Sequence, residues 1–202
     1  MKIGIMGGTF DPIHNAHLML AEYAYRTYSL DEVWFMPNGN PPHKQNQKGR
    51  TDAVKRVDMV RLAIAGHSAF RLEEYESRRK EISYSYQTME HFRTVYPNHH
   101  FYFIIGADSL FALKNWVHPE RLLRTCTILA ACRDKMNQHD QMEAKIRELN
   151  REYQADIRLL VTPVTATASQ KLRRMCKNGQ SIAAEVPKAV EEYIISHHLY
   201  RN

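Results

Sequence analysis

"KIGIMGGTFDPIHNAH" occupies Lys2 to His17. A short apolar run, "KIGIM", reads as a strand and stops at two glycines. Within ten residues come a threonine, an aspartate, a proline and two histidines. Without a Cβ, Gly7 and Gly8 let backbone N–H groups approach an anion closely. A helix beginning at Asn15 or a neighbour adds its N-terminal N–H groups and dipole, which favour negative charge. His14 and His17 stand three apart at that helix start, so they share a face and can both donate to a phosphate. His-x-x-His also suits zinc, but the sequence places no third ligand nearby, so no metal site in the protein is expected.

The rest of the chain repeats the strand–helix alternation. Strand-like runs are 2–6, 32–36, 70–74, 101–106, 127–131 and 157–161. Helix-like periodic segments fall at 17–28, 52–65, 86–96, 136–153, 169–177 and 187–197. In 52–65, Val54, Val57, Val60, Leu62 and Ile64 supply apolar contacts on more than one face. The alternation predicts an α/β fold, a Rossmann-like doubly wound parallel sheet with helices on both faces. Several strands are nearly continuous apolar runs, as a sheet covered on both faces requires. Ligands of such sheets bind outside the carboxyl ends of the strands, where Gly7 and Gly8 lie. The segment "PNGNPPHKQNQKGRTD" (37–52) is the most irregular, and a long irregular loop in a compact domain is usually functional.

Bulk properties narrow the class. A length of 202 residues fits one domain, 1–202, with a C-terminal helical segment from about 165. Hydrophobic residues make up 44% and charged residues 25%, the balance of a soluble globular protein. No apolar run approaches ~20 residues, so no membrane span is expected. A strand-like start leaves no room for a signal peptide, which makes the cytoplasm the expected location. Cys126, Cys132 and Cys176 form no CxxC pair and read as reduced thiols. The formal charge of +6 suits an anionic partner. Its cations are dispersed, so no nucleic acid is expected. A homo-oligomer is left open.

"GGTFDPIHNAH" resembles the GGTFDPxHxGH signature of the nucleotidyltransferase superfamily with its HxGH motif, with Ala16 in place of the usual Gly. That signature leaves phosphopantetheine adenylyltransferases and cytidylyltransferases open. "PNGNPPHK" (37–44) resembles the PxxxPPHK loop of the bacterial nicotinate mononucleotide adenylyltransferases. "ESRRKEISYSYQTM" (76–89) is similar to their ExxRxGxSYTxxTL segment, matching at Glu76, Arg79, Ser83, Tyr84 and Thr88, with Ser85 for Thr and Glu81 for Gly. "IIGADSLFALKNW" (104–116) is similar to their GADxxxxxxxW element, and "VPKAVEEYIISHHLY" (186–200) to their C-terminal helix. Their ISSTxIRxR segment corresponds to "TASQKLRRM" (167–175). Ser169 and Arg173 match there, while Ala168, Gln170 and Met175 depart.

The resemblance implies adenylyl transfer from ATP to nicotinate mononucleotide, with Mg²⁺ carried on the triphosphate. It implies backbone contacts to nucleotide phosphates from Gly7, Gly8, Thr9 and Phe10. Catalytic contacts to the ATP phosphates fall to His14, His17 and Lys44. Gly106 and Asp108 would hold adenosine, and Ser169 and Arg173 the triphosphate. Arg133 would meet the mononucleotide phosphate, Trp116 would stack on the pyridine ring, and Tyr84 and Ser85 would position its carboxylate. Two other readings stand beside this one: another transferase of the same superfamily, for example one preferring nicotinamide mononucleotide, and a nucleotide-binding regulatory module that lost activity.

Overall fold

The computed structural model describes residues 1–40, 50–133, 136–163 and 167–201. Six parallel strands form one sheet: β1 (Lys2–Gly8), β2 (Glu32–Pro37), β3 (Phe70–Leu72), β4 (His100–Gly106), β5 (Thr127–Arg133) and β6 (Ile157–Thr162). Their order is β3-β2-β1-β4-β5-β6, the doubly wound arrangement in which the winding direction reverses between β1 and β4. The helices are α1 (Asn15–Thr27), α2 (Ala53–Ile64), α3 (Ser85–Val95), α4 (Ala107–Phe111), α5 (Pro119–Leu123), α6 (Met136–Tyr153), α7 (Ser169–Lys177) and α8 (Lys188–Ser196). A 3-10 turn spans Leu113–Asn115.

Alternating strand residues feed two apolar layers, because successive side chains leave opposite faces. Val33, Phe35, Tyr102, Ile104 and Leu129 pack with α1, α2, α7 and α8. Ile3, Ile5, Trp34, Phe101, Phe103 and Ile128 pack with α3 to α6 on the other face. In α2 the buried stripe is Val57, Met59, Val60, Ala63 and Ile64, whereas Val54 and Leu62 face solvent, contrary to the expectation that all the apolar residues of this segment make contacts. β3 ends at Leu72 rather than at residue 74, although the Glu73 N–H still donates to the Phe35 carbonyl at 2.9 Å.

The register opens a cleft at the reversal point. β1 pairs with β4 from Lys2↔His100 to Ile5↔Phe103 and no further. Beyond that, β1 stays on β2 through Gly8↔Pro37 while β4 stays on β5 through Gly106↔Ala131. Gly7 and Gly8 are therefore the last residues of the strand, on the rim of this cleft, rather than a turn after it. Among the described residues, no helix is long and apolar enough to cross a membrane.

Candidate active site

The turn after β1 is tightly specified. Phe10 takes a left-handed backbone conformation, φ 49°, unusual for a residue with a bulky side chain. Its ring folds back over Gly8, where an added Cβ would lie 2.8 Å from the ring. The ring is buried, 6.0 Å from Phe35 and 5.1 Å edge-on from His17. The Asp11–Pro12 peptide is cis. His14 then caps α1 in an extended conformation.

The two imidazoles stack, with centroids 3.7 Å apart and an interplanar angle of 22°. The His14 N–H donates to Nδ1 of His17 at 3.2 Å. His17 thus fills the place of the glutamate that commonly reaches back from the third helical position to the cap. Because Nδ1 accepts, the proton of neutral His17 sits on Nε2, which becomes the outward donor. Burial, with His14 adding to it, holds the His17 pKa well below the usual value of 6.5. At neutral pH the ring is a neutral hydrogen-bond donor.

That depression has a sign in stability. Below about pH 6.5 the unfolded chain binds a proton at His17 that the fold resists, so stability is complete above 6.5 and falls as the pH drops toward the depressed folded value. One such proton gives a slope of at most about 1.4 kcal/mol per pH unit. Melting curves from pH 7.5 to 5 are expected to fall more steeply for the wild type than for His17→Asn. Parallel curves would contradict the depressed value.

The C-terminal segment closes over this turn. Ser169, at the start of α7, donates through Oγ to the Pro12 carbonyl at 2.9 Å. Arg173 donates to the Asp11 carbonyl at 2.6 Å. The Asp11 carboxylate accepts from Tyr200 Oη at 2.6 Å and from the Thr51 N–H at 3.2 Å. The Asn15 N–H donates to the Glu185 carbonyl at 2.8 Å. Ser169 and Arg173 are thus brought to the histidine turn, where in this structure they bind its backbone. Met175, which stands where the resemblance has a second arginine, packs against the apolar layer of α1 and α2, and Arg174 is exposed.

Across the cleft, Gly106 caps α4 and Asp108 lies exposed in its first turn. Half-buried Trp116 meets Phe103 edge to face, with centroids 6.5 Å apart and planes at 88°. The same Phe103 ring lies 3.6 Å from where a Cβ on Gly7 would be, so Trp116 and the glycine rim share one neighbour. Tyr84 caps α3 and Ser85 begins it, with no side chain capping that end. The stretch before α3 is docked on the end of β2: Asn40 bridges Ile82, and the Ser83 N–H donates to the Asn40 carbonyl at 3.0 Å. Buried Glu76 accepts from Thr88 Oγ1 at 2.7 Å, and burial raises its pKa. Gly39 makes this docking possible, since a Cβ there would sit 2.1 Å from the Glu76 carbonyl oxygen. Gly39→Ala is expected to destabilise the protein by at least about 1–3 kcal/mol, the scale of forced overpacking. Gly66→Ala, with nothing within 4 Å of the new methyl, is the control for thermal melting. Equal melting temperatures would contradict the close packing.

Lys44 lies outside the described residues, as does the side chain of Arg133, whose backbone ends β5. Among the described residues, no three His, Cys, Asp or Glu side chains gather as a metal cage. Sequence reasoning missed Arg56, Asn38, Thr51, Asp11 and Tyr200 as parts of the site. The available signal was Arg56 itself, which falls on the buried stripe of α2 beside Val57 and Val60.

The profile of the cytidylyltransferase-like family matches residues 5–198. The chain belongs to this family. Among curated relatives, the "Probable nicotinate-nucleotide adenylyltransferase" of Lachnoclostridium phytofermentans is 43% identical over 199 residues, covering 98% of each chain. A protein of the same name from Clostridium botulinum strain Okra is 34% identical over 197 residues, again covering 98% of each. Among solved structures, Plasmodium falciparum nicotinic acid mononucleotide adenylyltransferase complexed with NaAD superposes with a TM-score of 0.80. It covers 98% of this chain and 97% of that one at 22% identity, a likeness of fold. The cytidylyltransferase-like match takes in the glycine rim, both histidines, Trp116 and the closing segment from Ser169 to Glu185.

Proposed function

We propose that the chain is a nicotinate mononucleotide adenylyltransferase, joining ATP and nicotinate mononucleotide into nicotinate adenine dinucleotide with release of pyrophosphate. The observation that carries this reading is the stacked His14–His17 pair at a helix start beside the β1–β4 cleft, in a chain that matches proteins of that name end to end. Residues 1–202 act as one nucleotidyltransferase domain, helical segment from about 165 included, in the cytoplasm.

The chemistry follows from the reactants. The attacking group is a phosphate monoester whose second pKa is near ~6, so at neutral pH it is mostly dianionic and needs no general base. The protein's work is to bring two anions together in line and to stabilise charge as pyrophosphate leaves. Backbone groups of Gly7, Gly8, Thr9 and Phe10 cradle phosphate. His14 and His17 donate to the ATP phosphates, with Nε2 of His17 nearest the reacting α-phosphate. Lys44 adds a point charge, and Ser169 and Arg173 meet the triphosphate from α7. Gly106 and Asp108 hold adenosine. Trp116 stacks on the pyridine ring, Tyr84 and Ser85 present backbone N–H groups to its carboxylate, and Arg133 binds the mononucleotide phosphate. Mg²⁺ enters as an ion carried by the triphosphate and supplies charge neutralisation there.

Initial rates with nicotinate and nicotinamide mononucleotide at equal concentration, each with ATP and with CTP, test this assignment. The expected preference is ATP with the nicotinate form. Faster turnover of the nicotinamide form, or of CTP, would move the chain to another branch of the family.

A further inference from the structure

The Arg56 side chain is fully buried in α2. Its guanidinium donates Nη1 to the Thr9 carbonyl at 2.7 Å, Nη2 to the Asn38 carbonyl at 2.8 Å and Nε to the Thr51 carbonyl at 3.0 Å. Nη1 also lies 3.5 Å from Oδ1 of Asn38. All four acceptors are neutral. Burying a guanidinium on carbonyls alone is expensive, and an apolar side chain of similar volume would fill the space at lower cost. Burial depresses the Arg56 pKa, with nearby Arg50 adding to it and Asp11 and Asp52 opposing it. Nη1 of Arg50 is itself buried without a hydrogen-bond partner among the described residues. The Arg56 guanidinium therefore stands behind the turn that precedes His14, holding its Thr9 carbonyl.

The geometry has a direct consequence for that turn. The C=O and N–H of a trans peptide point opposite ways. Drawing the Thr9 carbonyl in toward Arg56 turns the Phe10 N–H away from it. The same fork fixes the end of β2 at Asn38 and the approach to α2 at Thr51, whose N–H holds the Asp11 carboxylate.

We infer that Arg56 is a positioning residue for the transfer step: it fixes the Thr9–Phe10 peptide for ATP phosphate and lends that turn a permanent positive charge from behind. This rests on the adenylyl-transfer reading. The fork and the charge are separable. Arg56→Lys keeps the charge and loses the planar fork, since an ammonium cannot reach three carbonyls set around a guanidinium. Asn38→Asp keeps the fork and pairs its charge with a carboxylate of nearly the same shape.

The experiment measures kcat and both KM values by pyrophosphate release, with a melting curve for each variant. Arg56→Lys is expected to lower kcat/KM for ATP by about 10- to 100-fold, the range of one misaligned phosphate contact, with KM for the mononucleotide within about twofold of wild type. A role in stability alone would lower the melting temperature and leave the KM for ATP unchanged. A folded Arg56→Lys with wild-type kcat and KM for ATP overturns the proposal. Should Arg56→Lys fail to fold, Asn38→Asp tests the charge: a raised KM for ATP at an unchanged melting temperature supports the role, and wild-type constants overturn the positive charge that the proposal assigns to Arg56 at this turn. A wild type inactive with ATP and nicotinate mononucleotide would overturn the adenylyl-transfer reading and this role with it.

Discussion

His17→Ala is expected to lower kcat by a factor of ~10²–10³, the scale for removing one preorganised donor to transition-state charge. The expectation rests on geometry: Nδ1 is occupied by the His14 N–H at 3.2 Å, which leaves Nε2–H as the donor that the proposed function assigns to the reacting phosphate. KM for ATP should change less, because the proposed function gives ground-state phosphate other donors on the glycine rim and α7. Losing the contact to the cap also weakens the start of α1, by about 1 kcal/mol on the scale of helix caps. A melting curve separates that loss from the chemical one. A folded variant with wild-type kcat would remove His17 from the mechanism.

Trp116→Ala is expected to separate the two substrates. Stacking of a base on an aromatic side chain is worth ~1–3 kcal/mol in nucleic-acid systems, and the pyridine ring is taken on the same scale. That is a loss of about one to two powers of ten in mononucleotide affinity. ATP, which the proposed function places at the glycine rim, Asp108 and α7, should bind nearly as before. Trp116 is only half-buried and touches Phe103 edge-on, so its removal leaves an open notch rather than a sealed cavity. Had it served the core, the variant would lose ~3–5 kcal/mol of stability and weaken both ligands together. Separate titration of ATP and mononucleotide, beside a melting curve, decides between these outcomes.

The sheet was legible because several of its strands are nearly continuous apolar runs, buried along most of their length as in β1, β2 and β4, and all six runs became strands. Long helices were legible from their periodicity. α4, α5 and the 3-10 turn were not, since five residues or fewer cannot display a 3.6-residue period. The end of β1 was read two residues short because Gly7 and Gly8 carry no side chain to continue the alternation. The histidine pair was legible from spacing, but its stacking and the capping role of His17 depend on the Phe10 turn. Tyr200 meets Asp11 across 189 positions, and no local pattern announces such a contact. Arg56 carried a local signal, a charge on an apolar stripe, which composition alone would assign to a solvated face.

Single-turnover analysis with ATP labelled at the α-phosphate tests the central claim most directly. In the presence of nicotinate mononucleotide, all transferred label is predicted to appear in nicotinate adenine dinucleotide, matched one to one by pyrophosphate, with none attached to the protein. Label trapped on the protein, or AMP formed by hydrolysis in place of the dinucleotide, would contradict direct adenylyl transfer at the His14–His17 turn.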